Sequence, residues 1–203
     1  MYSAAKKQLL VLVEGEKTDV VVMQNLFRVY SELDSDYIIV PYRTNIYVLY
    51  QEFFAGADDQ DDLDLLQVLK AREPDPERKL MFDEKYTDIL LIFDFDPQDP
   101  GFTEEKICKM QAYFSESSDM GKLYINYPMV EAFYHMPCIP DPDYCSRTTR
   151  VDELTQRTYK SRVHVESRGG DYRKFAVTRT DYNYVILENI RKARALLNIS
   201  ADV

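Results

Sequence analysis

Cysteine, histidine and long apolar stretches are all scarce in this 203-residue chain. The three cysteines, Cys108, Cys138 and Cys145, are odd in number and lack metal-type pair spacing. That pattern argues against a zinc knuckle or a disulfide framework and reads as a reduced chain with cysteines as packing residues. Two histidines, His135 and His164, are too few for a histidine-rich zinc site within one chain. The longest apolar runs, Leu9 to Val13 and Ile89 to Phe93 among them, are five residues, far short of a membrane span. The opening segment Met1-Tyr2-Ser3-Ala4-Ala5-Lys6-Lys7 lacks the apolar stretch of a secretory signal, so a cytoplasmic location without a membrane partner is expected. No Gly-x-x-x-x-Gly-Lys phosphate loop occurs, so any ATPase would be a separate partner protein.

What the chain has in quantity is acid. Asp and Glu number 35 against 25 Lys and Arg, a net charge of −10. The excess is uneven: residues 1–140 hold 13 basic and 26 acidic side chains, whereas 141–203 hold 12 and 9. The acidic total excludes a binder that uses its whole surface for nucleic acid, and leaves room for a local basic patch. Arg among Tyr in 147–194 suits phosphate, because guanidinium forks match its oxygens and rings accept stacking. The same pattern equally describes a solvated helical surface that offsets the acidic half.

At 45% apolar and 30% charged, the composition is that of a folded domain, and the length favours one domain over 1–203. Leu9 to Val13 reads as a strand buried on both faces. Thr18 then caps a helix with Val22, Leu26, Val29 and Leu33 inward. Tyr37 to Val40 is a second strand, and 45–55 a helix with Ile46, Leu49, Tyr50 and Phe53 on one face. An acidic insertion, 56–84, carries Asp58, Asp59, Asp61, Asp62 and Asp64 and a helix near 62–71. Asp88 to Phe93 is a third strand, 103–115 a helix burying Ile107, Met110 and Phe114, and Lys122 to Asn126 a fourth strand. Pro128 opens a short helix through Glu131 to Tyr134. This alternation predicts an α/β fold with a central, mainly parallel sheet flanked by helices. Residues 136–203 form a basic, mostly helical appendage. It holds one helix near 151–160 and another over 182–197, with Asp181 as N-cap, Asn198 as stop, and Ile186, Ile190, Ala193 and Leu197 inward.

Ligands of open parallel sheets sit outside the carboxyl ends of the strands. Glu14 follows the first strand, Asp94-Phe95-Asp96 ends the third, and Asn126 and Glu131 follow the fourth. Carboxylates gathered there repel unless a cation lies among them, and hard divalent ions favour oxygen ligands. In an extended segment Asp94 and Asp96 face the same way. A Mg²⁺ or Mn²⁺ site is the expectation. Glu14 by itself also reads as a solvated turn residue, and Asp-Phe-Asp-Pro as a turn.

Leu-Val-Glu-Gly-Glu-Lys-Thr-Asp (12–19) followed by Ile-Phe-Asp-Phe-Asp (92–96) resembles the TOPRIM domain, the metal-binding catalytic domain of topoisomerases, bacterial-type primases and overcoming-lysogenization-defect nucleases. The likeness covers roughly 7–135 and is closest to the stand-alone RloB-like group, whose start reads Glu-Gly-x-x-Thr-Glu and whose fourth strand precedes Asn-Pro-x-x-x-Glu. Here that segment is Asn126-Tyr127-Pro128-Met129-Val130-Glu131, with Tyr127 added. The resemblance implies a Rossmann-like TOPRIM fold and makes Glu14, Asp94 and Asp96 the family's acidic residues. It also implies a setting in phage defence or a restriction-type system.

Carboxylate-held Mg²⁺ suits phosphodiester chemistry. Asp94 and Asp96 are expected to hold the metal, Glu14 to complete the shell or act as general base, and Glu131 to hold a second ion. Lys17 at the first helix start, with Arg147, Arg150, Arg157, Lys160, Arg162, Arg168 and Arg173, would contact a DNA or RNA backbone; each alone also reads as a surface charge. Arg168-Gly169-Gly170-Asp171 reads as an ordinary turn or a phosphate-facing nest. His135 reads as a buried structural histidine, and a general acid is its other role. The chain is short for strand passage and lacks a primase's zinc-binding part, which leaves hydrolysis. The alternatives are a non-catalytic binding or sensor module for nucleic acid, nucleotide or a partner protein, and phosphoryl chemistry on a small nucleotide. Oligomerisation is compatible with each.

Overall fold

Leu10, Val11, Leu12 and Val13 are all 0% exposed; a strand covered on both faces needs apolar side chains at every position. The computed structural model describes residues 7–31, 35–54, 63–118 and 120–199. Strand β1 (Lys7–Val13) pairs in parallel with β2 (Ser35–Pro41), from Lys7 against Ser35 to Val13 against Pro41. On its other edge β1 pairs in parallel with β3 (Asp88–Asp94), from Leu9 against Asp88 to Val13 against Ile92. With β4 (Lys122–Asn126) the order is β2-β1-β3-β4 in an all-parallel sheet. The fold is α/β and Rossmann-like, as the alternation predicts. The strand order reverses between β1 and β3, the place where such sheets bind ligands.

The chain forms two compact units: 1–16, 31–94 and 101–125 make the first, and 17–30, 95–100 and 126–203 the second. In the first, α2 (Ile46–Phe54) buries Ile46, Tyr47, Leu49 and Phe53. Thr103 caps α5 (Glu104–Tyr113), which buries Ile107 and Met110, with Phe114 just beyond it 1% exposed. Of the acidic insertion, Asp58, Asp59, Asp61 and Asp62 lie outside the described residues. The rest holds α3 (Leu65–Arg72), capped by Asp64, then α4 (Pro76–Lys79) and a 3-10 turn, Leu80–Asp83. Arg72 joins α3 to α2 by an ion pair with Glu52 and lies 4.0 Å above the Tyr42 ring.

The second unit contains α1 (Thr18–Val29), α6 (Val151–Thr155), α7 (Thr158–Glu166) and α8 (Arg179–Leu196). Its core gathers Tyr134, Met136, Tyr144, Tyr159, Val163 and Val185 among others, and Val22, Leu26 and Val29 of α1 pack against it. Each large apolar side chain buried this way contributes roughly 1.5–3 kcal/mol. Leu33, the fourth residue of the expected α1 face, lies outside the described residues.

Several local expectations are corrected. Lys17, not Thr18, holds the N-cap position of α1, with no side-chain cap. The helix expected near 151–160 is broken at Arg157, whose φ of 58° is left-handed, into α6 and α7. Helix α8 begins three residues early: Thr178 is its N-cap, and Asp181 at N3 accepts from the Thr178 N–H in a capping box. Its buried positions are Tyr182, Val185 and Glu188, while Ile190 and Leu197 are 46% and 68% exposed. Asn198, at φ 52°, does stop it. Pro128 does not open a helix; the 3-10 turn starts at Val130 because the Pro128 carbonyl accepts the N–H groups of Phe95 and Asp96, each at 3.1 Å. All three cysteines are free and exposed, not packed inside. No described helix is long and apolar enough to cross a membrane.

Candidate functional site

In the sheet unit, Glu14 is the first residue past β1. Its N–H donates to the Ile92 carbonyl at 3.1 Å, and its carbonyl accepts from the Arg43 N–H at 3.0 Å. Those bonds fix the backbone of Glu14 beside the end of β3. Its side chain continues the tie: Oε2 accepts from the Asp94 N–H at 3.1 Å. Asp94, the last residue of β3, is 5% exposed. The parallel register thus brings two of the sequence-predicted acids together at the carboxyl ends of neighbouring strands.

Asp96 belongs to the second unit. Sequence reasoning placed it on a continuing extended segment, but β3 ends at Asp94 and Asp96 has φ 42°. The cause lies in the backbone bonds: Phe95 N–H is taken by the Asn126 and Pro128 carbonyls, at 2.9 and 3.1 Å, and Asp96 N–H by Pro128. Asp tolerates this left-handed conformation better than most residues. Its Oδ1 accepts from Gln98 Nε2 at 3.1 Å. Burial raises its carboxyl above the ordinary range, against the hydrogen bond from Gln98 and the charge of Lys160, with Asp99 adding to the rise.

Glu131, 6% exposed, sits in the 3-10 turn Val130–Tyr134 of the same unit. Lys160 Nζ of α7 lies 3.5 Å from its Oε1, while Oε2 is buried with no hydrogen-bond donor among the described residues. Burial raises its carboxyl, Lys160 opposes the rise, and the nearby acid Asp19 adds to it. Asp19, 7% exposed in the first turn of α1, is the acid that sequence reasoning left without a role. It closes the Glu14-to-Asp19 run, and an acid in a first helical turn is so ordinary that it draws no notice. Among the described residues, no group of three or more His, Cys, Asp or Glu is gathered closely enough to hold a metal ion. The donor chemistry nevertheless fits magnesium, which uses one or two carboxylates and completes its shell with water and substrate phosphate. An unsatisfied carboxylate oxygen such as Glu131 Oε2 is a donor of that kind.

The expected nucleic-acid contacts are mostly engaged locally. Arg147 pairs with Asp141 at 2.5 Å, Arg150 with Asp152 at 3.0 Å, Arg162 with Glu153 at 3.3 Å, Arg168 with Asp181 at 2.9 Å and Arg173 with Asp171 at 2.8 Å. The Arg173 pair holds the Asp171 carboxyl down to about 2. A phosphate would compete with these carboxylates, which is easiest at the exposed pairs of Arg150 and Arg173. Arg157 and Lys17 are exposed. Gly169 and Gly170, at φ 76° and 59°, form the turn that glycine permits. His135 is 3% exposed with Nε2 2.7 Å from Glu166 Oε2, the buried structural arrangement. Burial lowers its pKa, against the hydrogen bond and charge of Glu166. Sequence reasoning also missed Asp141, 1% exposed, since an acid between two prolines reads as loop.

Comparison with known proteins finds no matching family model, no matching curated protein and no matching solved structure.

Proposed function

We propose that the chain is a Mg²⁺- or Mn²⁺-dependent phosphodiesterase acting on nucleic acid, of the TOPRIM kind and in a phage-defence or restriction-type setting. The observation that carries this reading is the pair Glu14 and Asp94 at the carboxyl ends of adjacent parallel strands, where the strand order reverses, with Glu14 Oε2 on the Asp94 N–H. Asp94 would hold an ion, and Glu131 would be a ligand of another. A bound ion neutralises charge developing on the phosphoryl oxygens and makes water a stronger acid. Glu14, fixed in orientation by Asp94, accepts the proton of the attacking water. Lys17 and the exposed Arg150, Arg157 and Arg173 supply the backbone contacts that position the strand.

The test is cleavage of supercoiled DNA, single-stranded DNA and structured RNA with Mg²⁺ or Mn²⁺. Glu14→Gln and Asp94→Asn are expected to slow cleavage by about 10²-fold or more, and a chelator to abolish it. Cleavage that survives both substitutions overturns the assignment. Tight binding without cleavage, indifferent to chelator, replaces it with a binding module. Hydrolysis of free nucleotides without polymer cleavage replaces it with small-nucleotide chemistry.

A further inference from the structure

A polar cavity of about 440 Å³ opens in the second unit, lined by His135, Asp143, Ser146, Arg147, Thr148, Arg162 and Glu166. From its geometry we propose that it binds a ribonucleoside 5′-monophosphate, either free or as the 5′-phosphorylated end of an RNA. The proposal is independent of the metal reading, since none of the acids assigned to metal lines the cavity.

Its two guanidiniums come from different elements, and each is braced from one side. Arg147 gives Nε and Nη2 to Asp141, at 2.5 and 3.5 Å. Asp141 is itself 1% exposed, so this is a buried brace. Arg162 gives Nη2 to the Thr148 carbonyl at 2.9 Å and to Glu153 at 3.3 Å. Among the described residues no acceptor takes Nη1 of either arginine, and Arg162 Nε is buried without one. A guanidinium offers five N–H donors in a fixed fork. Bracing some of them on carboxylates orients the others, and two such forks on one cavity fit the oxygens of a phosphate monoester.

The remaining lining decides what else the ligand carries. Asp143 and Glu166 add carboxylates to the lining, which disfavours a bare polyanion. They suit a ligand that also presents hydroxyl donors. A ribose diol against a carboxylate is such a pairing, the one used by acids that read ribose hydroxyls in dinucleotide sites. His135 holds Glu166 by the 2.7 Å contact, and Tyr159 O–H lies 3.5 Å from the other ring nitrogen. With both nitrogens occupied, His135 positions Glu166 and is not a base for Ser146, whose hydroxyl donates to the Asp143 carbonyl at 2.8 Å. The cavity is thus built to bind, not to react. Its volume lies within the range of small-ligand pockets, about 300–1,000 Å³.

Titration calorimetry on the full chain tests the proposal, with 5′-AMP, 5′-dAMP, adenosine, inorganic phosphate and a short RNA carrying either a 5′-phosphate or a 5′-hydroxyl. 5′-AMP or the 5′-phosphorylated RNA is expected to bind with a Kd between about 10 μM and about 1 mM. Removing the phosphate, the ribose 2′-hydroxyl or the Arg162 guanidinium (Arg162→Gln) is each expected to weaken binding about tenfold or more. Arg147→Gln strips a buried acid of its partner, so Thr148→Val and Arg162→Gln serve as variants that keep the fold, checked by circular dichroism. Arg194→Gln, at an exposed position of α8, is expected to change nothing. Stronger binding of 5′-phosphorylated RNA than of 5′-AMP identifies a strand end as the ligand, and the reverse a free nucleotide. Absence of binding by both at about 10 mM overturns the proposal, as does equal affinity in Arg162→Gln or for adenosine and 5′-AMP. Equal affinity for 5′-dAMP overturns the ribose assignment.

Discussion

Glu131 holds a buried carboxylate whose ion-pair partner among the described residues, Lys160, is itself 58% exposed. Burial raises its folded pKa above the 4.5 of an ordinary glutamate. The unfolded chain therefore releases this proton first, and folding stability falls as pH rises through 4.5 to the folded value. Replacing it with an apolar chain of similar length removes that cost. Glu131→Met is expected to raise stability by about 1 kcal/mol at pH 7 in chelator, and by little at pH 4, read as Tm at the two pH values. Magnesium inverts the comparison if Glu131 is a ligand: about 10 mM Mg²⁺ then raises the Tm of the unsubstituted chain and not of Glu131→Met. His135 runs the other way. Its folded pKa is lowered, so its contribution is complete above the ordinary imidazole range and is lost as pH falls through the folded value. His135→Phe is expected to flatten the loss of Tm between about pH 7 and about pH 5. Residue roles were the least legible part of the sequence. The placement of Glu14 and Asp94 at strand ends was readable because continuous apolar runs mark where strands stop. Asp19 and Asp141 were not, because burial of an acid depends on what distant segments bring over it.

Elements were read well where a continuous apolar run or a clean helical period fixed them, as for β1, β3, α2 and α5. Helix α8 shows where periodicity misleads. Two stripes compete along it, one through Ile186, Ile190 and Leu197 and one through Tyr182, Val185 and Glu188, and the sequence favours the more apolar. The fold buries the other because Asn189, on its flank, accepts from Tyr144 O–H at 2.7 Å and donates to the Phe133 carbonyl at 3.4 Å. Urea denaturation separates the stripes. Val185→Ala, at a fully buried site, is expected to cost about 1–3 kcal/mol, and Ile190→Ala less than about 0.5 kcal/mol. Thr178→Ala, which removes the hydroxyl oxygen that accepts the Asp181 N–H at 3.1 Å, is expected to cost about 1 kcal/mol.

At the scale of the whole molecule, a core over 7–135 followed by an appendage is what the TOPRIM resemblance implies. The compact units are cut differently: α1 and 95–100, from the first half of the chain, join 126–203. The residues of α1 that pack inward, Val22, Leu26 and Val29, meet side chains that lie beyond 128. Such interleaving is invisible to composition, which sees neighbours along the chain and not across it. A fragment ending at residue 135 is therefore expected to leave the α1 amides unprotected in hydrogen exchange and to bind a hydrophobic dye, while the β1 and β3 amides keep measurable protection. Full protection of α1 in that fragment would count against the division.

The exposed thiols bear on any work at the bench. Cys108 lies in one compact unit and Cys138 and Cys145 in the other, so single-cysteine variants offer native attachment points for a maleimide dye or spin label in each. Handling without reductant is expected to join chains through these same sulfurs, and a dimer seen on a non-reducing gel must vanish with dithiothreitol before it is read as quaternary structure.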